Sequence, residues 1–118
     1  MSSSSNVEKQ FDSSNELQIT VTGRKTGKEY STPVWFVREG KTILLLPVKG
    51  SQSQWYKNVE KSRKMTISSG KIKLKLNAKL VKDSNRIGVI ADKFRKKYGA
   101  SDVKKYYSNF DAGIELSI

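Results

Sequence analysis

Neither cysteine nor histidine occurs among the 118 residues of this chain. The first absence excludes disulfides, thiolate metal sites, iron–sulfur clusters and a cysteine nucleophile. The second removes the Ser-His-Asp triad, imidazole metal ligands and the one side chain that titrates near neutrality unaided. The eleven carboxylates show no metal-ligand cluster and no pairing suited to hydrolysis, so no metal is expected. A borrowed cofactor is then the economical source of reactivity. Long apolar runs are missing too: none is longer than Ile43-Leu44-Leu45-Leu46, which is far too short to span a bilayer. Met1 to Asn6 has neither a basic start nor an apolar core, so no secretory signal is read and a cytoplasmic location is expected.

What the chain has in abundance is positive charge, a net +12 carried mostly by lysine. That excess predicts an anionic partner: nucleic acid, an acidic membrane surface or a polyanionic small molecule. Its length fits one domain that folds without staples.

Residues 1 to 15 hold four consecutive serines and only Val7 and Phe11 as sizeable apolar groups, which predicts a mobile tail. A single domain over residues 16 to 118 follows. Leu17, Ile19 and Val21 alternate with polar residues as a half-buried strand, and Gly23 to Lys28 makes a turn. A second strand is expected from Tyr30 to Arg38, with Pro33 marking an edge or a bulge. Thr42 to Leu46 reads as a central strand. Ser51 or Ser53 can cap a short helix over Gln52 to Lys61. Lys64 to Ser68 resumes as a strand. From Lys71 to Lys82, Ile72, Leu74, Leu76, Ala78 and Leu80 alternate with a lysine-lined outer face. Asp83 or Ser84 caps a helix with the stripe Ile87, Ile90, Ala91, Phe94 and Tyr98, and Gly99 stops it. A second helix fits Ser101 to Phe110, and Gly113 to Ile118 alternates as a last strand. Five or six strands, a short helix in the middle and a helical pair before the last strand describe an α+β, mostly β fold, a small closed or partly closed barrel.

The turn Gly23-Arg24-Lys25-Thr26-Gly27-Lys28 is not a Walker motif: three residues separate its glycines, Glu29 holds the Ser/Thr position and a strand follows. Arg24 and Lys25 can still hold a phosphate. Taken alone, the turn is as readily a solvated hairpin. Lys49-Gly50-Ser51 precedes the helix bearing Trp55, Tyr56 and Asn58; a helix start offers free amides to an anion, and the aromatics can flank a ring. The alternative is plain core packing. The lysine face of residues 71 to 82 is the best signal for single-stranded nucleic acid, but no aromatic lies between Met65 and Phe94 to stack on bases, so a solubilising outer face is favoured. Tyr98, Tyr106 and Tyr107 are candidates to wall a substrate pocket, with core packing as the alternative for each.

Four stretches in order, Thr22 to Gly27, Thr32-Pro33-Val34-Trp35-Phe36, Val48-Lys49-Gly50-Ser51 and Trp55-Tyr56-Lys57-Asn58, closely resemble the deazaflavin-dependent nitroreductase family. That family belongs to the flavin-binding split β-barrels related to pyridoxamine-phosphate oxidases. The resemblance implies a split barrel that binds the 8-hydroxy-5-deazaflavin coenzyme F420 and passes a hydride from its reduced form to quinones, nitroaromatics or other electron-poor acceptors. The reacting carbon is then the cofactor's, and no side chain is assigned as the catalyst. By the same resemblance Arg24, Lys25 and Thr26 meet the phosphate and acidic tail, and Val48, Lys49, Gly50 and Ser51 line the ring and phosphate region. Pro33 and Trp35 lie beside the ring, with Trp55, Tyr56 and Asn58 beneath it. FMN is the alternative cofactor, a basic nucleic-acid-binding module the alternative from another class, and a homodimer a family-level expectation.

Overall fold

A computed structural model describes residues 3–118, and Met1 and Ser2 of the expected tail lie outside the described residues. Seven strands, β1 (Leu17–Thr22), β2 (Glu29–Val34), β3 (Val37–Glu39), β4 (Thr42–Leu45), β5 (Lys64–Ser69), β6 (Ile72–Val81) and β7 (Gly113–Ser117), form a single antiparallel sheet. Its order is β2-β1-β5-β6-β7-β4-β3. Four helices accompany it: α1 (Ser3–Asp12), α2 (Gln54–Ser62), α3 (Ser84–Tyr98) and α4 (Ala100–Tyr106), with a 3₁₀ turn over Gly50–Gln52 before α2.

Sequence-adjacent β2 and β3 stand at opposite edges of this sheet, which is the open seam of a split barrel. The single strand expected over Tyr30 to Arg38 therefore divides in two. The cause is at Phe36: its N–H donates to the Tyr98 hydroxyl at 3.1 Å and its carbonyl accepts from Lys97 Nζ at 2.8 Å, so α3 side chains replace a strand partner there. β2 pairs with β1 and places Pro33 opposite Gln18 on the outer edge, where its missing donor costs no ladder bond.

The expected mobile tail is corrected to helix α1. Phe11 is wholly buried in the main core beside Leu17, Ile19, Phe36 and Ile67, with its ring edge-on to Phe36 at 5.8 Å. Arg38 holds the same helix from outside, donating to both oxygens of Asp12 at 2.7 and 2.8 Å. Val7 and Phe11 are too few to fold a helix in isolation; the tertiary seat supplies what local apolarity lacks.

A second core packs α3 and α4 on the other side, joining Leu44, Leu46 and Val81 to Ile87, Ile90, Phe94, Val103 and Tyr107. α3 begins at Asp83, whose carboxylate accepts from Arg86 N at 3.0 Å. On β6 the alternation holds, but Ile72, Leu74 and Leu76 remain half-buried rather than sealed.

Candidate functional site

Two adjoining cavities open where the seam lies. The larger, about 720 Å³, runs between the β1–β2 turn, the inner face of β2 and the segment from Val48 to Asn58. The smaller, about 380 Å³, is walled by Trp35, Leu46, Tyr106, Tyr107 and Glu16. Pro33, Val34, Val48 and Trp55 line both, so the two are rooms of one cleft.

The basic turn is built from its own backbone. Gly23 N–H donates to Lys28 O at 2.7 Å, and Gly27 takes φ +73, a left-handed value that a β-carbon would penalise. This leaves Arg24, Lys25 and Thr26 lining the larger cavity. Arg24 is oriented from α2: Nη1 donates to Asn58 Oδ1 at 2.8 Å and Nη2 to Gln54 Oε1 at 3.0 Å, while Arg24 N–H reaches the same Asn58 oxygen at 3.0 Å. Asn58, 7% exposed, thus clamps Arg24 and also lines the larger cavity. Gln54, which sequence reasoning missed, shares this task; it lies four residues before Asn58 on one helix face, and that amide pair was a readable signal.

The Val48–Ser51 segment departs from expectation in an instructive way. Lys49 and Val48 line the larger cavity, but Gly50 and Ser51 do not. Gly50 is buried at φ +58, and Ser51 gives its N–H and Oγ–H to the two carboxylate oxygens of Asp111 at 2.7 and 2.5 Å. The amide expected to meet a cofactor phosphate is thus occupied by the chain's own anion. These hydrogen bonds hold the Asp111 carboxyl below its ordinary value. Lys49 N–H donates to Ser53 Oγ at 2.9 Å, which takes Ser53 away from capping α2 and fixes Lys49 at the cavity wall.

Of the α2 aromatics, Trp55 lines both cavities, whereas Tyr56 is fully buried in the main core and lines neither. Tyr56 follows Trp55 by about 100° around the helix, which turns it inward beside Val59. Its hydroxyl has no hydrogen-bond partner among the described residues, and burial raises its pKa.

Trp35 forms the floor of the smaller cavity. Tyr98 stacks on it at 4.2 Å and 7°, and Tyr106 meets it edge-on at 5.6 Å. Tyr98 does not line the cavity. Its hydroxyl accepts from Phe36 N and stands 2.6 Å from Asn15 O and 2.9 Å from Phe36 O, to one of which it donates. Burial pushes its pKa up to about 12, against the opposing effect of the Phe36 backbone bond. Tyr107, 6% exposed, is raised further by burial. Both stay protonated donors across the physiological range.

The charge around the larger cavity suits an anionic ligand with a ring. Arg24 is met only by neutral amide oxygens, and neither it, Lys25 nor Lys49 joins an ion pair among the described residues. Three positively charged residues therefore line the cavity without compensation, beside Trp55. Such a donor set fits the phosphate and carboxylates of a flavin-type cofactor.

Comparison with solved structures places this fold among known ones. An F420-H2 dependent reductase (FDR-A) matches with TM-score 0.68 at 18% identity, covering 87% of this chain and 94% of that one. A domain-swapped dimer matches with TM-score 0.69 at 17% identity, covering 98% and 100%. A Listeria innocua protein provisionally assigned as a pyridoxamine 5′-phosphate oxidase matches with TM-score 0.72 at 11% identity, covering 96% and 90%. At these identities the likeness is one of fold, the split barrel. The sequence itself matches the family model for F420H(2)-dependent quinone reductase over residues 1–116, so the chain belongs to that family, oxidoreductases whose cofactor is the deazaflavin F420.

Proposed function

We propose that the larger cavity holds the phosphate-bearing part of F420 against Arg24, Lys25, Thr26 and Lys49, and that the smaller cavity takes a flat electron-poor acceptor, a quinone or a nitroaromatic. Reduced F420 supplies the hydride. One observation carries this reading: a basic room and an aromatic room share Pro33, Val34, Val48 and Trp55, so occupants of the two would meet at that wall. The chain's own part is to orient and to exclude water. Arg24 is held by Asn58 and Gln54 before any ligand arrives, which lowers the ordering cost of binding. Trp35, stacked on Tyr98, offers a rigid face to a planar acceptor, and the Tyr106 and Tyr107 hydroxyls are available as hydrogen-bond donors to an acceptor oxygen.

A homodimer is part of the proposal. The half-buried Ile72, Leu74 and Leu76 and the domain-swapped neighbour support it. The described residues contain no helix long and apolar enough to cross a membrane.

The test is a titration of the purified protein with F420, followed by anaerobic mixing of the reduced cofactor with a neutral naphthoquinone and with a nitroaromatic. Micromolar or tighter binding and acceptor-dependent oxidation of the cofactor are expected. Binding without oxidation by either acceptor class would leave a carrier and refute the reductase reading.

A further inference from the structure

Glu16 is the single acidic residue lining the smaller cavity, whose other lining residues are Pro33, Val34, Leu46, Val48 and four aromatics. It makes no ion pair or side-chain hydrogen bond among the described residues. In a chain with 23 basic residues and a net charge of +12, an uncompensated carboxylate at an acceptor pocket is a specific placement. Nor does it hang on a loose segment. The preceding Asn15 carbonyl stands 2.6 Å from the Tyr98 hydroxyl, and the following Leu17 is 2% exposed at the start of β1. Tyr98 in turn is stacked on Trp35, so the backbone carrying Glu16 is tied to the ring that floors the cavity.

We propose that Glu16 is a specificity-determining residue, selecting neutral or cationic acceptors and disfavouring anionic ones in the cavity floored by Trp35. This rests on the reading of that cavity as the acceptor room. Arg24, Lys25 and Lys49 face the neighbouring room, where an anionic cofactor offsets their charge; Lys105 Nζ stands 5.3 Å from the Tyr106 ring centroid but does not line the acceptor room, whose one charged lining residue is Glu16. An anionic acceptor entering beside it meets like charge within a few ångströms, and a cationic one meets attraction. Because Glu16 is exposed, water weakens the effect and salt screens it further. The expected size is modest, roughly three- to tenfold in relative affinity at low ionic strength.

The experiment compares a neutral naphthoquinone with its sulfonated analogue on the wild-type chain and on Glu16→Gln, a substitution at an exposed position that keeps the side chain's shape. Binding is read by quenching of tryptophan fluorescence with oxidised F420 already saturating the larger cavity, so that the charges of Arg24, Lys25 and Lys49 are offset, and turnover is read with reduced F420. Glu16→Gln is expected to raise the sulfonate-to-neutral ratio of association constants, and of kcat/KM, about three- to tenfold, with the gain shrinking as salt is added. A ratio that moves less than twofold in both measurements overturns the proposal, as does a gain indifferent to salt. Absence of turnover in the wild type together with a shifted quenching ratio would refute the reductase reading while sustaining the charge selection.

Discussion

Asn58 does two jobs with one oxygen, accepting from the backbone and the guanidinium of Arg24. Removing it in Asn58→Ala strands a part-buried donor, at a cost of about 1–3 kcal/mol. The conservative change separates structure from charge. Asn58→Asp keeps an acceptor oxygen in place but adds a carboxylate to a guanidinium now met only by neutral amides. Thermal unfolding is expected to show Asn58→Ala several degrees below the wild type and Asn58→Asp close to it. Fluorescence titration with F420 is expected to show both weakened, Asn58→Asp by about tenfold or more, since a charge-assisted contact is lost. Equal affinity in Asn58→Asp would remove Arg24 from the cofactor site. A second residue-scale prediction follows from Asp111, whose carboxyl is depressed by Ser51. A depressed carboxylate stabilises the fold above its unfolded pKa and loses that contribution as pH falls through the folded one. The stability difference between wild type and Asp111→Asn, measured by urea unfolding, is therefore expected to be constant above about pH 5 and to shrink below about pH 4. At this scale the sequence was half legible. That Arg24, Lys25 and Lys49 line one cavity could be anticipated because charge beside glycine is a local pattern. Asp111 could not, because its partner Ser51 lies 60 positions away.

Strands were the elements most readable in advance, because one buried face writes itself as alternation: β1, β6 and β7 lie close to their expected bounds. The family resemblance likewise led to the split barrel and to F420. Elements whose seat is remote were not readable. β2 and β3 separate because Lys97 and Tyr98, from α3, satisfy Phe36, and a strand-like run carries no sign of a partner that distant. α1 is the clearer instance, since buried Phe11 and the distant Arg38 anchor what local composition marks as tail. Phe11→Ala is expected to destabilise the domain by about 3–5 kcal/mol, the usual range for deleting a buried phenylalanine ring. Limited proteolysis should then cut within residues 7 to 12 before the strands open, whereas the wild type resists there. An unchanged melting temperature would show that α1 is dispensable and restore the tail.

Across the whole molecule, the net charge of +12 exceeds what one cofactor site requires. Lys73, Lys75 and Lys79 lie on the exposed face of β6 and line neither cavity. Their effect on an anionic cofactor is then a matter of the long-range field, which raises encounter rates and leaves the bound contacts untouched. Lys49 is the opposite case, a charge at the cavity wall, and its loss should shorten the life of the complex. Stopped-flow binding of F420 distinguishes the two. Reversing Lys73, Lys75 and Lys79 to glutamate is expected to lower the association rate several-fold at about 10 mM salt, where the Debye length is near 30 Å, and to change it little at about 150 mM, where that length falls to about 8 Å. Lys49→Ala is expected to raise the dissociation rate about tenfold at both salts. A triple variant that also dissociates faster would place the lysine face in contact with the ligand, and the cofactor site would then extend across the sheet beyond the seam.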